Sequence, residues 1–245
     1  MRNIVATGAL LFTSSAFAAG GGVPLEPSGI DLDNINSLQR GAANFMNYCS
    51  GCHSAKYVRY NTIGKNLELS DEMLVDNLMF NAEKTFETIQ SSMPPDDAAR
   101  WYGVAPPDLS LMARSKGADY IYNFLKGFYL SPDSPTGVDN TVLAGTSMPH
   151  VLWELQGYQK ANFEVHENED GSTTSTFTGF EQVSLGELDS EDYDAFVRDT
   201  TNFLAYIAEP IRQDRRKIGT WVIIYLLFFL IIARMLKKQI WKDVK

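Results

Sequence analysis

Five consecutive residues, Cys49-Ser50-Gly51-Cys52-His53, constrain this chain more than any other feature. Cys49 and Cys52 are its only cysteines, so they act as a pair or not at all. A structural disulfide across C-x-x-C closes too small a loop to stabilise much. A thioredoxin-like dithiol sits at a strand-to-helix junction, whereas this pair follows a helical pattern over Leu38–Tyr48. Zinc needs four ligands, and two cysteines with His53, His150 and His166 make a loose set. In a fourth chemistry each thiol forms a thioether with a haem vinyl group, and the histidine after the second thiol meets the iron. The pentapeptide fits that chemistry best: one covalent haem c held through Cys49 and Cys52, with His53 as an iron ligand.

The ends of the chain say where such a group would be attached. Arg2, the apolar run Ile4–Phe12 and Ala16-Phe17-Ala18 have the order of a secretory signal peptide over residues 1–18, too short to span a bilayer. The mature chain is expected to start near Ala19, with residues 19–211 forming one haem-bearing domain in the oxidising periplasm. From Ile218 to Ala233 no residue is charged, and Lys217, Arg234 and Lys237 flank the run where their stems can snorkel. Residues 212–236 are read as a single transmembrane anchor in the bacterial inner membrane, in contact with membrane lipid. Residues 237–245, with Lys237, Lys238, Lys242 and Lys245, form a cytoplasmic tail under the positive-inside rule. Nine Lys/Arg against two Asp in residues 212–245, plus Arg2, leave −17 on residues 3–211 of a chain whose total is −9. Such a field repels nucleic acid and would steer a basic partner toward the domain.

One iron face remains for a second ligand. Methionine would give a high-potential carrier, histidine a lower one, and an open position a ligand-binding or peroxidatic site. Two methionines precede proline, Met93 in S-S-M-P-P-D and Met148 in A-G-T-S-M-P-H. Proline stiffens the chain and keeps the residue before it out of helix, which suits a ligand presented from a loop. Met148 is favoured, with Met93 and His150 as alternatives, while Met46, Met73, Met79 and Met112 are read as core packing.

Apolar periodicity predicts helices over 39–52, 70–90, 118–127 and 191–209, the last carrying Phe196, Phe203, Leu204 and Ile207 and ending before Pro210. Alternation on both sides of Asp170-Gly171 predicts a β-hairpin over 162–177, with His166 on its polar side.

In order along the chain, C49-S-G-C-H53, A105-P-P-D-L-S110, G145-T-S-M-P149, an acidic region, and A208-E-P-I-R-Q-D-R-R-K217 feeding the anchor resemble the cytochrome c1 family. The 105–110 and 208–217 blocks are more specific than the haem motif, because generic c-type cytochromes lack them. The resemblance implies a mainly α fold: a c-type cytochrome domain with a small β-hairpin excursion, plus one C-terminal transmembrane helix. It implies that Cys49 and Cys52 bind the haem vinyls and that His53 and Met148 ligate the iron. It places Pro107 beside the haem on the His53 side, a cation (Arg114 or Lys116) on a propionate, and Tyr120 in the pocket.

The function so implied is a one-electron carrier in the ubiquinol–cytochrome c oxidoreductase (bc1) complex. Electrons would come from the Rieske iron–sulfur protein and pass to a soluble or tethered cytochrome c, with cytochrome b packed against the anchor. The chain itself makes no bonds and is an enzyme only as a subunit of that proton-translocating complex. The acidic runs 164–170 and 187–194 are candidates for docking a basic cytochrome c. The principal rival is an independent membrane-anchored c-type cytochrome serving another oxidase. Further rivals are a haem enzyme with an open iron position and a non-haem dithiol or zinc protein.

Overall fold

The computed structural model describes residues 23–167 and 173–242. Asn34, whose side chain accepts the Ser37 N–H, starts helix α1 at Ile35–Tyr48, earlier than periodicity alone suggests. Leu38, Ala42, Phe45 and Met46 form its buried stripe. Where residues 39–52 were expected to be helical, the structure ends α1 at Tyr48. The Ser50 N–H turns back to the Phe45 carbonyl and the Ser50 hydroxyl to the Met46 carbonyl, so both cysteines lie in a turn beyond the helix.

Strand β1 (Ala55–Arg59) and helix α2 (Tyr60–Asn66) follow, then helix α3 (Asp71–Asn77), capped by Ser70. Of the helix predicted over 70–90, only Asp71–Asn77 is helical. Leu74 and Leu78 are buried, but Met79 beside them is buried too and Phe80 is exposed, so the helical stripe stops. The chain runs on irregularly to β2 (Thr88–Ile89), which pairs antiparallel with β1. Met73 is exposed rather than in the core, while Met46 and Met79 are buried and Met112 packs against the core.

Helices α4 (Pro95–Tyr102), α5 (Met112–Lys116) and α6 (Ala118–Lys126) lead to the short antiparallel pair β3 (Phe128–Leu130) and β4 (Val138–Asn140). After α7 (Trp153–Gln156) comes the hairpin of β5 (Gln159–Glu167) and β6 (Thr173–Gln182). It is longer than predicted and bulged between Asn162 and Phe163. Its expected turn at Asp170-Gly171 lies outside the described residues, as do the expected signal peptide and the end of the acidic run 164–170. Helix α8 (Ser190–Ala208), N-capped by Asp189, matches its prediction to within a residue at each end. Helix α9 (Arg212–Ile240) is long and apolar enough to cross a membrane, and none of its apolar stretch is buried.

The core is organised by α1 crossing α8. Phe45 and Phe203 meet at 5.7 Å and both are fully buried, a burial that contributes about 1.5–3 kcal/mol for each side chain. Beside them Asp199 accepts from Ser37 (2.6 Å) and from Arg40 (2.5 and 3.1 Å), and Asn202 donates to Ser37 (2.9 Å). A buried carboxylate is tolerable only when paired and hydrogen-bonded in this way. Because α1 ends at the Cys–His turn, this crossing sets where that turn stands.

Candidate functional site

The Cys–His turn is closed by backbone bonds from the Cys52 and His53 N–H groups to the Cys49 carbonyl, at 3.1 and 2.8 Å. Both thiols are free and part-buried, with Gly51 exposed between them. Burial, with Cys52 adding to it, pushes the Cys49 thiol up to about 12, and burial raises Cys52 as well. Neither therefore resembles the activated thiolate of a redox dithiol at neutral pH. Among the described residues no three of His, Cys, Asp and Glu gather into a metal cluster, so no zinc site is assembled around the pair.

Fifty residues further on, the 105–110 segment is stitched to the turn. Leu109 N–H donates to the Ser54 carbonyl (2.8 Å) and Lys56 N–H to Asp108 (2.9 Å). Tyr57 N–H donates to the Ser110 hydroxyl (3.1 Å), and Asp108 also receives the Ser110 N–H (3.0 Å). Above all, His53 Nδ1 lies 2.8 Å from the Pro107 carbonyl. A carbonyl can only accept, so Nδ1 carries the proton and Nε2 keeps its lone pair for a metal. Burial lowers the His53 pKa, with Pro107 and Asp108 opposing it, and so favours the neutral ring that a metal requires.

The other predicted residues fall into two groups. Arg114 and Lys116, in the last turn of α5, share a cavity of about 620 Å³ with Tyr120, Glu209 and Arg212, and Lys116 Nζ stands 5.5 Å over the Tyr120 ring. Cys49, Cys52, His53, Pro107 and Met148 do not line that cavity. Met148 is on the loop between β4 and α7, where its N–H meets the Thr146 hydroxyl at 3.3 Å. Asp139 accepts the Gly145 N–H (2.7 Å) and Asn140 accepts the Val142 N–H (2.9 Å), shaping the loop before it. The alternative Met93 lies beside the cysteine turn, because Ser91 donates to the Gly51 carbonyl and receives the Met93 N–H. The alternative His150 is 7% exposed and stacked on Phe128.

The sequence model of the Cytochrome C1 family matches residues 31–244. The chain belongs to the cytochrome c1 family. It is 45% identical over 98% of its length to the cytochrome c1 of Allochromatium vinosum, covering 98% of that protein. It is 35% identical over 96% of its length to a Nitrosomonas europaea protein named ammonia monooxygenase gamma subunit, covering 95% of it. Against the mitochondrial cytochrome c1 heme protein of Saccharomyces cerevisiae it is 26% identical over 85% of its length, covering 67% of the yeast chain.

For a member of the cytochrome c1 family the donor chemistry of the turn fits a covalently held haem: two protonated, uncommitted thiols and an imidazole with one nitrogen committed and one free. Sequence reasoning missed Ser54, Ser91 and Asp108, which hold the turn from behind. Asp108 alone gave a signal, since D-x-S is a local Asx pattern.

Burial, opposed by the nearby Gly157 backbone and Gln156 side chain, lowers the His150 pKa from its ordinary 6.5 to about 4. On acidification the unfolded chain therefore takes up this proton first. The stability tied to the group is whole above pH 6.5 and is lost as pH falls toward 4. The expected loss is about 3 kcal/mol across that window. Urea unfolding in detergent at pH 7 and near pH 4 should show a shallower acid slope for His150→Phe than for the unaltered chain, and parallel slopes would refute it.

Proposed function

We propose that this chain is the haem subunit of a ubiquinol–cytochrome c oxidoreductase and carries single electrons from the Rieske iron–sulfur protein to a cytochrome c. The observation that most supports the reading is the His53–Pro107 hydrogen bond, which readies an iron-binding nitrogen at the cysteine pair in a chain matching the cytochrome c1 family through to its anchor. When bound, a haem supplies a one-electron iron couple, and His/Met ligation raises its potential.

The chain's own residues do the rest. Cys49 and Cys52 hold the porphyrin, and His53 is oriented by Pro107 and Met148 offered from the 141–152 loop. Arg114 or Lys116 would meet a propionate, and Tyr120 would stand in the haem pocket. Lysine there would act as a point charge and arginine as a fork. Residues 1–18 direct export, 19–211 stand in the periplasm, 212–236 cross the inner membrane beside cytochrome b, and 237–245 remain cytoplasmic. Acidic residues of 164–170 and 187–194 steer a basic cytochrome c.

Extraction in mild detergent followed by affinity purification of the chain tests this. A b-type cytochrome and an iron–sulfur protein should come out with it, and the reduced-minus-oxidised spectrum should contain both b- and c-type bands. The relative named ammonia monooxygenase gamma subunit favours a second reading, an anchored cytochrome serving a different oxidoreductase. Recovery of a c-type spectrum without cytochrome b would select it.

A further inference from the structure

We infer that His150 is the positioning residue for Met148: its ring is an apolar plate that pins the loop from which the thioether is offered. The inference rests on the reading of Met148 as an iron ligand. Pro149 alone separates the two residues, and its fixed φ, with the restriction it places on Met148, leaves few independent rotations between them. Whatever fixes His150 therefore fixes Met148.

His150 is fixed on both sides. Its ring lies flat against Phe128, with centroids 5.1 Å apart and planes 9° apart, and meets Tyr158 near edge-on at 6.5 Å and 75°. Tyr158 in turn stacks on Trp153 at 5.6 Å. These partners stand on anchored backbone. Gln159 donates to the Phe128 and Lys126 carbonyls (2.8 and 2.9 Å), tying the start of β5 to the start of β3. Gly157 passes so close to the 184–186 backbone that no Cβ could be accommodated. On the near side, Asp139 and Asn140 hold residues 142–145, so the stretch free to move is short and centred on Met148.

Neither nitrogen of His150 has a hydrogen-bond partner among the described residues. Burying unpaired ring nitrogens costs stability, so the position is not optimised for stability, and such local violations collect at functional sites. With no well-aligned hydrogen bond at either nitrogen, the ring works chiefly by shape and stacking.

The test uses the mature, membrane-extracted protein. In the ferric state a methionine–iron bond gives a weak near-infrared band, and cyanide competes with the thioether for iron. His150→Ala should weaken the band and tighten cyanide binding by about tenfold or more, equivalent to about 1.4 kcal/mol. His150→Phe, which keeps the plate, should stay within about twofold of the unaltered protein. His150→Leu keeps volume without a stackable plane and should behave as alanine does, which covers failure of the alanine chain to mature. Unchanged cyanide affinity in both the alanine and leucine chains, or a phenylalanine chain as loose as they are, overturns the inference. If the unaltered protein lacks the band, the ligand reading itself fails. If Met148→Leu removes the band while His150→Ala and His150→Leu retain it, only the positioning role fails.

Discussion

The chain carrying Cys49→Ser together with Cys52→Ser is expected to lose all covalently held haem, so that no haem stain survives denaturing electrophoresis. The reason is elementary: a thioether needs sulfur, and these are the only two sulfurs of cysteine in the chain. Serine keeps the size of each side chain, and the bonds that close the turn are made by the backbone, so the substitution removes the attachment and little else. Each single serine variant should keep one thioether and a reduced but persistent stain. His53→Ala should behave differently, because attachment chemistry survives while the iron loses a ligand, giving stained protein with an altered spectrum. A stain that survives denaturation in the double serine chain would end the assignment of the attachment to Cys49 and Cys52, whatever the haem content. Stain absent from the unaltered chain after export and maturation would end the haem reading itself.

How much of this was legible in the sequence depended on distance along the chain. Helices α6 and α8 were placed almost to the residue, because the apolar stripe of each is unbroken and ends at a glycine or a proline. The stretch 70–90 is not one helix because helical spacing persists only to Leu78; the chain then runs irregularly to Thr88–Ile89, whose pairing with β1 is a tertiary demand that local periodicity does not record. At the site, the cysteines and His53 were legible from spacing, and Pro107 from the family block. The Ser91–Gly51 and Lys56–Asp108 bonds join residues about 40 and 50 positions apart, and no local pattern announces them. Met93 and Met148 both precede a proline, and the fold gives them different settings, Met93 tied to the cysteine turn through Ser91 and Met148 on the loop next to His150, which stacks on Phe128. Asp199 was invisible for a related reason: a carboxylate inside an amphipathic helix reads as solvent-facing until Ser37 and Arg40 are found beside it.

That last cluster carries the second large effect. In isolation Gly41→Ala ought to help, since alanine is favoured over glycine in a helix interior by about 1 kcal/mol. Here a Cβ at residue 41 would overlap the Asp199 carbonyl and the Phe203 Cβ across the α1–α8 crossing. Backbone cannot swing aside as a side chain can, so the helices must part. Separation would open the Phe45–Phe203 contact and stretch Asp199 from Ser37 and Arg40, leaving a buried carboxylate short of partners. Overpacking of this kind costs about 3 kcal/mol or more, which outweighs the propensity gain and leaves a net loss of about 2 kcal/mol. For a domain of this size that lowers the melting temperature by about 4–8 °C. Gly219→Ala, inside α9, where a new Cβ meets nothing within 4 Å, is the control and should not lower the melting temperature. Because α1 delivers the cysteine turn, haem incorporation in Gly41→Ala should fall along with stability. Equal melting temperatures for Gly41→Ala and the unaltered chain would mean that the close crossing of α1 and α8 does not hold the domain together.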